Sequence, residues 1–400
     1  MKLLKPIHPF PARMAPEIVW KELLSKRKKL NVLDPMSGSG TTLVTANLKG
    51  HSVVGCDRDP LAVLISKSWL EKINPEEFMA AASKILSNAQ VNAKSMKLSD
   101  GYPVGADNET KAFVRFWFDP KNRVQLAALS KTIAKLKDKS LRNVMWCAFS
   151  RLIITKSVGV SLAKDVSHSR PHKSYARAPI NAFDQFHHAV RSIVKAAPFA
   201  SYAGPRASAK VIHADARRLP IRSSSVDLVI TSPPYLNAID YLRGHKMSLV
   251  WMGHTIKKLR DIRSTNVGTE VSRKSPENDF VIEKVVSQMG KVENLSERQC
   301  GMLQKYACDM RIVLQEIKRV LKTDGRVVLV VGNCNLRNTF IENSKCIEAL
   351  AKVVGMTVCN KQSRVIPDNH RYLPPPALKR SGKALTKRMR EEVILTMSKN

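Results

Sequence analysis

Residues 31–57 restrict the fold most: a short apolar run ends in Asp34, a turn of small residues spans 35–40, a helix-like stretch covers 41–48, and a second apolar run at 52–56 stops at Asp57. Strand, loop, helix and strand in so few residues make the crossover unit of a parallel sheet, because adjacent parallel strands need a connection that carries the chain back. A helical stretch at 60–69 repeats the alternation, so the expected class is α/β, a doubly wound sheet. The pattern then changes. Residues 75–97, 120–136 and 181–196 show helical apolar spacing in place of strand alternation, which predicts an inserted helical subdomain. Strand-like runs resume at 211–213, 226–230 and 326–331, the last preceded by a helical pattern at 309–321 and the turn Thr323-Asp324-Gly325, and a final run at 392–396 reads as an edge strand. The expected organisation is a discontinuous sheet domain of residues 1–72 and 206–400, with a mostly helical insertion at 73–205.

The chain of 400 residues is 44% hydrophobic, enough for at least one large core, and no uninterrupted apolar stretch is long enough for a membrane helix. Its start lacks the apolar run of a secretory signal, and the seven cysteines are scattered singly, without the CxxC spacing of a zinc site. The expectation is a cytoplasmic protein with reduced thiols and no metal centre. With 67 basic against 33 acidic residues the net charge is +34, which points to a polyanionic partner without naming a reaction.

The turn Asp34-Pro35-Met36-Ser37-Gly38-Ser39-Gly40-Thr41-Thr42 leaves the C-terminal end of a strand, the edge where open α/β sheets bind ligands. It has neither GxGxxG spacing nor the Gly-Lys-Ser/Thr ending of a phosphate loop, so a dinucleotide or a nucleoside triphosphate is poorly supported. Asp57, at the end of the next strand, is placed to accept from both ribose hydroxyls of a nucleoside. Asp215, in His213-Ala214-Asp215-Ala216 after the third strand, is a candidate acceptor for an adenine amino group at the same edge. A surface turn explains it equally well.

The apolar run 226–230 passes directly into Thr231-Ser232-Pro233-Pro234-Tyr235. A Pro-Pro pair ends a strand rigidly and leaves carbonyl oxygens unpaired. Such acceptors suit an exocyclic base nitrogen, whose lone pair is delocalised into the ring: holding both of its N–H bonds favours the pyramidal form that attacks a methyl sulfonium. Ser232 and the Pro233 carbonyl are the candidate acceptors, and Tyr235 offers a flat face for a base turned out of a duplex.

Together, residues 34–42 and Ser232 to Tyr235 resemble motifs I and IV of the S-adenosylmethionine-dependent amino-methyltransferases of restriction-modification systems. The Ser-Pro-Pro-Tyr form is typical of the N4-cytosine group, and Asp-Pro-Pro-Tyr of N6-adenine enzymes. The opening His8-Pro9-Phe10-Pro11-Ala12-Arg13 resembles motif X, which packs against the methionine part of the cofactor. The resemblance implies a Rossmann-like methyltransferase sheet and a site of Phe10, Asp34, Pro35, Gly38, Ser39, Gly40, Thr41, Asp57 and Asp215 for S-adenosylmethionine. Catalysis would fall to Ser232, Pro233, Pro234 and Tyr235. It extends to Val166-Ser167-His168-Ser169-Arg170-Pro171-His172, to Asp240-Tyr241-Leu242-Arg243 and to Arg371-Tyr372-Leu373-Pro374-Pro375, segments to which no chemistry is assigned. No Pro-Cys pair occurs anywhere, which argues against cytosine C5 methylation through a thiolate. His168, His172 and His245 read as surface or packing residues.

The implied partner is double-stranded DNA with the target base flipped out, together with a separate restriction endonuclease. Basic clusters at 26–29, 257–263 and 379–390 are candidates for a phosphate footprint. The insertion around 110–205 and the segment 253–290 are candidates for base readout. N6-adenine in DNA, or a base amino group in RNA, suits the same acceptors. A reading of another class is an inactive DNA-binding regulator that keeps the fold.

Overall fold

The structure, a computed structural model, describes residues 4–399 apart from 11–12, 25–27, 157, 165, 167–170, 198–206, 237–240, 269–278, 337–338 and 367–390. Expectations for Pro11, Ala12, 167–170, Asp240, 371–375 and 379–390, and part of the 26–29 cluster, therefore lie outside the described residues. A helix α1 (Pro16–Leu23) precedes the crossover unit, which forms as β1 (Asn31–Asp34), α2 (Thr41–Leu48), β2 (Ser52–Asp57) and α3 (Pro60–Leu70). Then come α4 (Pro75–Ser95), α5 (Asn108–Trp117), α6 (Pro120–Ala134), α7 (Lys139–Ile153), the short strands β3 (Ala163–Lys164) and β4 (His172–Lys173), and α8 (Ala182–Ala196). The chain continues through β5 (Ala209–His213), β6 (Val226–Thr231), α9 (Tyr241–Leu249), α10 (Ile256–Ser264), α11 (Phe280–Ser287) and α12 (Glu297–Val320). It ends with β7 (Leu321–Gly332), the pair β8 (Cys334–Leu336) and β9 (Thr339–Ile341), α13 (Asn343–Val353), β10 (Met356–Val365) and β11 (Glu391–Lys399).

Local chemistry sets the helix starts. Asp59, Asn74 and Asp119 cap α3, α4 and α6 through their side chains, each followed by a proline in the first turn. Asp107 and Asp138 cap α5 and α7 in the same way. These caps satisfy N–H groups that no helical carbonyl can reach.

The main sheet runs β10-β11-β7-β6-β1-β2-β5, with β11 antiparallel to both neighbours and every other described pair parallel. Alternate residues feed two cores. Val32, Leu228, Ile230, Val328 and Val330 face α1 and α2. Leu33, Val229, Val327, Leu329 and Leu395 face α11, α12 and α13. The result is the doubly wound three-layer arrangement expected for a sheet buried on both faces. A third core joins Ile7, Phe10 and α3 to the helices α4 to α9, so the helical segment is welded to the N-terminal strap and to α3.

Strand order reverses at β1, which lies between β2 and β6. The crevice beyond the C-terminal ends of β1 and β6 is the topological switch point, where such sheets bind ligands. The turn at 35–40 and the Ser232 loop both open into it.

Two expectations need correction. The run at 392–396 belongs to β11, which is hydrogen-bonded on both sides and is no edge strand. The edge is β10, whose exposed polar residues give no apolar alternation. Thr323-Asp324-Gly325 does not precede β7 but lies within it, where the register slips from Val226↔Leu321 to Leu228↔Arg326, so the turn chemistry makes a bulge.

Candidate active site

The turn after β1 is closed by its own hydrogen bonds. Met36 N–H donates to Asp34 Oδ1 at 3.2 Å, Ser37 N–H to the Cys56 carbonyl at 2.9 Å, Gly38 N–H to Asp57 Oδ2 at 2.8 Å and Gly40 N–H to the Ser37 carbonyl at 2.7 Å. A phosphate cradle needs such N–H groups free; here they are spent on the fold, in keeping with the missing phosphate-loop spacing. Gly40 is required twice over. Its φ is +83°, and a Cβ there would stand 2.8 Å from Ser66 Oγ and 3.0 Å from Ser66 Cα, because α3 rests directly on the turn. Ser66 Oγ also donates to the Gly38 carbonyl at 3.0 Å.

Pro35, Ser39 and Thr41 are buried in this turn, Ser39 and Thr41 with their hydroxyls 3.5 Å apart. Gly38 (φ +49°) faces Phe10, whose ring would lie 3.5 Å from a Cβ at that position. Phe10 is itself buried, stacks on Tyr241 at 5.4 Å and packs at a tilt against His245 at 5.1 Å between centroids. The segment around Phe10 therefore meets the turn after β1.

Asp34 and Asp57 stand at the ends of adjacent strands. Burial pushes Asp34 up to about 6 against the pull of the Thr231 hydroxyl, which donates to its Oδ1 at 2.6 Å. Burial also pushes Asp57 up to about 7, helped by the nearby Asp59 charge and opposed by the N–H groups of Asp59 and Gly38. A carboxylate so poorly solvated gains from any further hydrogen-bond donor. Ser37 Oγ is buried in the same turn without a partner. An aromatic wall at Phe10, a side-chain-free position at Gly38, an unpartnered hydroxyl at Ser37 and a buried acid at Asp57 with room for further donors fit a nucleoside whose sulfonium-bearing tail lies against the ring.

Asp215 follows β5 and lies one strand further along the edge. Its carboxylate receives Arg58 Nη1 at 2.6 Å and Arg217 Nη2 at 2.8 Å, and the side-chain and backbone bonds of Arg217 lead in holding it down at about 2 despite partial burial. Arg217 continues to Asp309 at 2.6 Å and to the Thr265 carbonyl at 2.6 Å, and Lys305 reaches Asp309 at 2.8 Å. The network ties α10 and α12 to the sheet edge, a role that the residues around Asp215 in sequence do not announce.

Beyond Thr231, Ser232 Oγ donates to Tyr235 Oη at 3.3 Å, which leaves the serine lone pairs able to accept. Pro233 is buried and Pro234 half-buried. Burial pushes the Tyr235 phenol above its ordinary range, with Glu392 adding to the shift, so it stays protonated. The bond from Thr231 to Asp34 brings the two motif loops together. Thr231, Asp59, Ser66 and His245 were not singled out as site residues by sequence; only Asp59, two positions after Asp57 and before Pro60, carries a local signal, that of a helix cap.

Among the described residues, no group of His, Cys, Asp or Glu could hold a metal ion, and no helix is long and apolar enough to cross a membrane.

Residues 129–278 match the family model described as RMKL-like, methyltransferase domain. The chain is 26% identical over 270 residues to the type II methyltransferase M.BsoBI of Geobacillus stearothermophilus, covering 61% of this chain and 51% of that protein. It is 23% identical over 396 residues to the type II methyltransferase M.MvaI of Kocuria varians, covering 90% of this chain and 84% of the relative. A solved SAM-dependent methyltransferase from Methanosarcina mazei aligns over 97% of this chain and 99% of its own at 9% identity, with a TM-score of 0.33; the fold assignment rests on strand order instead. The resemblance read from the motifs thus holds: in fold and in its relatives this chain is similar to the methyltransferases of type II restriction-modification systems, and the cofactor of that fold and family is S-adenosylmethionine.

Proposed function

We propose that this protein transfers the methyl group of S-adenosylmethionine to the exocyclic N4 of cytosine in DNA. One observation carries the reading: Thr231 at the end of β6 donates to Asp34 at the end of β1, so that Ser232-Pro233-Pro234-Tyr235 begins beside the cofactor turn at the switch point. The type II methyltransferase relatives support a DNA substrate, and so does the net charge of +34.

When bound, S-adenosylmethionine supplies a methyl group on a positively charged sulfur. Asp57 accepts from the ribose hydroxyls, Asp215 lies at the adenine end of the edge, and Phe10 with Gly38 lines the methionine side. Ser232 Oγ and the Pro233 carbonyl accept the two amino hydrogens, which frees the nitrogen lone pair, and Tyr235 stacks on the flipped base. Serine in place of aspartate at the head of this loop favours N4 of cytosine over N6 of adenine.

DNA is held by phosphate contacts from the helical segment and α10. Phe116 on α5 is 53% exposed, with the Lys173 amine 5.0 Å above its ring, and Tyr102 accepts from Arg115 and Arg123. Lys257, Lys258 and Arg260 lie on the outer face of α10, opposite buried Leu259 and Ile262. A cytoplasmic protein whose mark is read by a separate restriction endonuclease completes the reading.

Purified protein incubated with labelled S-adenosylmethionine and unmodified genomic DNA or total RNA tests it, with the labelled nucleoside identified by mass spectrometry. N4-methylcytosine from DNA is expected, lost in Pro233→Ala and Tyr235→Ala while cofactor binding persists. N6-methyladenine, or label confined to RNA, overturns the substrate. Cofactor binding without transfer to either nucleic acid favours the regulator.

A further inference from the structure

The imidazole of His245 is 2% exposed and lies where three segments of the site meet. Its Nδ1–H donates at 2.5 Å to Oδ2 of Asp59, which is 7% exposed and can only accept as a carboxylate. The other oxygen of Asp59 caps α3, accepting from Leu61 N–H at 2.9 Å. The backbone N–H of Asp59 donates to Asp57 Oδ1 at 2.9 Å, and Asp57 Oδ2 accepts from Gly38 N–H at 2.8 Å. A continuous hydrogen-bonded path therefore runs from α9 through Asp59 and Asp57 to the turn after β1. The ring also packs on Phe10 at 5.1 Å and on Tyr241 at 6.2 Å, and those two stack on each other at 5.4 Å.

The position of α9 makes this more than a packing contact. It is the helix that follows the Ser232 loop, so its placement sets the far end of the target loop. One residue before His245, a Cβ at Gly244 would lie 2.7 Å from the Val166 carbonyl, so α9 is also pressed against Val166. A buried polar pair contributes little net stability over an apolar pair of similar volume. What it supplies is one fixed geometry.

We propose that His245, held by Asp59, is a positioning residue that fixes the cofactor wall relative to the target-base loop. The inference rests on the methyltransferase reading of the site, and the test keeps the two separable. Wild type, His245→Leu and His245→Asn are compared for S-adenosylhomocysteine affinity by calorimetry, for kcat and DNA KM in the methylation assay, and for thermal midpoint. Leucine fills the space without the hydrogen bond, whereas the asparagine amide N–H can occupy the place of Nδ1 and donate to Asp59. His245→Leu is expected to stay cooperatively folded but to melt below wild type, because the buried Asp59 carboxylate loses a donor, to bind S-adenosylhomocysteine at least tenfold more weakly and to lose at least tenfold in kcat, with DNA KM within threefold. His245→Asn is expected to recover most of both losses. Unchanged affinity and kcat in His245→Leu, or an asparagine variant as impaired as leucine, overturns the inference. Wild-type protein that fails to bind S-adenosylhomocysteine instead overturns the methyltransferase reading beneath it.

Discussion

Cofactor affinity should tighten about tenfold between pH 6 and pH 8, because in the proposed site Asp57 has to be ionised to accept the ribose hydroxyls. Its carboxyl titrates at about 7 in the free protein, pushed up first by burial and then by the charge of Asp59 two residues away. If only the ionised form binds, the apparent Kd carries a factor of one plus the ratio of protonated to ionised acid: roughly 11 at pH 6, about 2 at pH 7 and about 1.1 at pH 8. Asp34, at about 6, steepens the lower end in the same direction. Binding near pH 6.5 should also release a proton, visible as a calorimetric enthalpy that changes with the buffer's ionisation heat. The same acids set the sign for the cofactor-free fold. Both folded-state values lie above the ordinary 3.8, so the folded chain holds protons that the unfolded chain has shed, and the stabilising effect of those protons is lost as pH rises from about 4 to 7. Asp57→Asn cannot ionise and should bind weakly with little pH dependence. A wild-type Kd constant within twofold from pH 6 to 8, or a slope between pH 7 and 8 that is undiminished in Asp57→Asn, would refute the reasoning.

Gly40→Ala should cost roughly 1–3 kcal/mol of stability, from positive φ and the approach of Ser66, and should abolish cofactor binding, read by thermal melts with and without S-adenosylhomocysteine. Thr231→Val keeps shape but removes the hydroxyl that donates to buried Asp34, so about 1–3 kcal/mol should be lost, with kcat falling more than DNA KM rises. Arg217→Ala leaves Asp215 to Arg58 and Asp309 to Lys305; denaturant unfolding should register a loss of about 1–3 kcal/mol, with weaker cofactor binding as α10 loosens from the sheet edge.

The crossover unit was legible because each of its signals is local: an apolar run, a small-residue turn and an acid, all within 27 residues of chain. The helices α4, α6 and α8 were visible for the same reason, since each has one buried face. In α7 the burial extends over most of its second half, from Val144 to Ile153, which blurs the alternation between faces; only its Asp138 cap marks it. In α5 just two residues, Thr110 and Val114, are buried, although Asp107 caps it. For the site, composition around Asp34, Asp57 and Ser232 was enough to locate the edge, because a ligand edge in this fold is a matter of strand ends. Pairings were not. His245 meets Asp59 across 186 positions, and Asp215 meets Arg58 across 157. Asp59 announces only a helix cap and Asp215 only a strand-end acid, so it is the fold that gives them these partners.

The helical segment looks detachable in sequence, yet its packing predicts otherwise. Ile7, Phe10, Ile65 and Trp69 are buried in the same apolar core as Phe78, Phe118, Phe149 and Phe186. Polar contacts reinforce the join: His8 Nε2 lies 3.0 Å from Ser150 Oγ, Arg151 donates to the Ile7 carbonyl at 2.8 Å, and Ser68 Oγ donates to the Asn143 carbonyl at 3.0 Å. Replacing residues 75–196 by a short linker would bare those first four side chains. At about 1.5–3 kcal/mol each the loss is about 6–12 kcal/mol, comparable to the whole stability of a typical domain at roughly 5–15 kcal/mol. The shortened chain is therefore expected to aggregate, or to melt without a cooperative transition, and to show no binding of S-adenosylhomocysteine. A soluble, cooperatively melting product that binds it would mean that the sheet domain carries its own complete core. Because α7 and the N-terminal segment hold Phe10 against Gly38, the helical segment backs the cofactor wall of the proposed site, and a change made deep within it should reach the methyl donor before it reaches DNA.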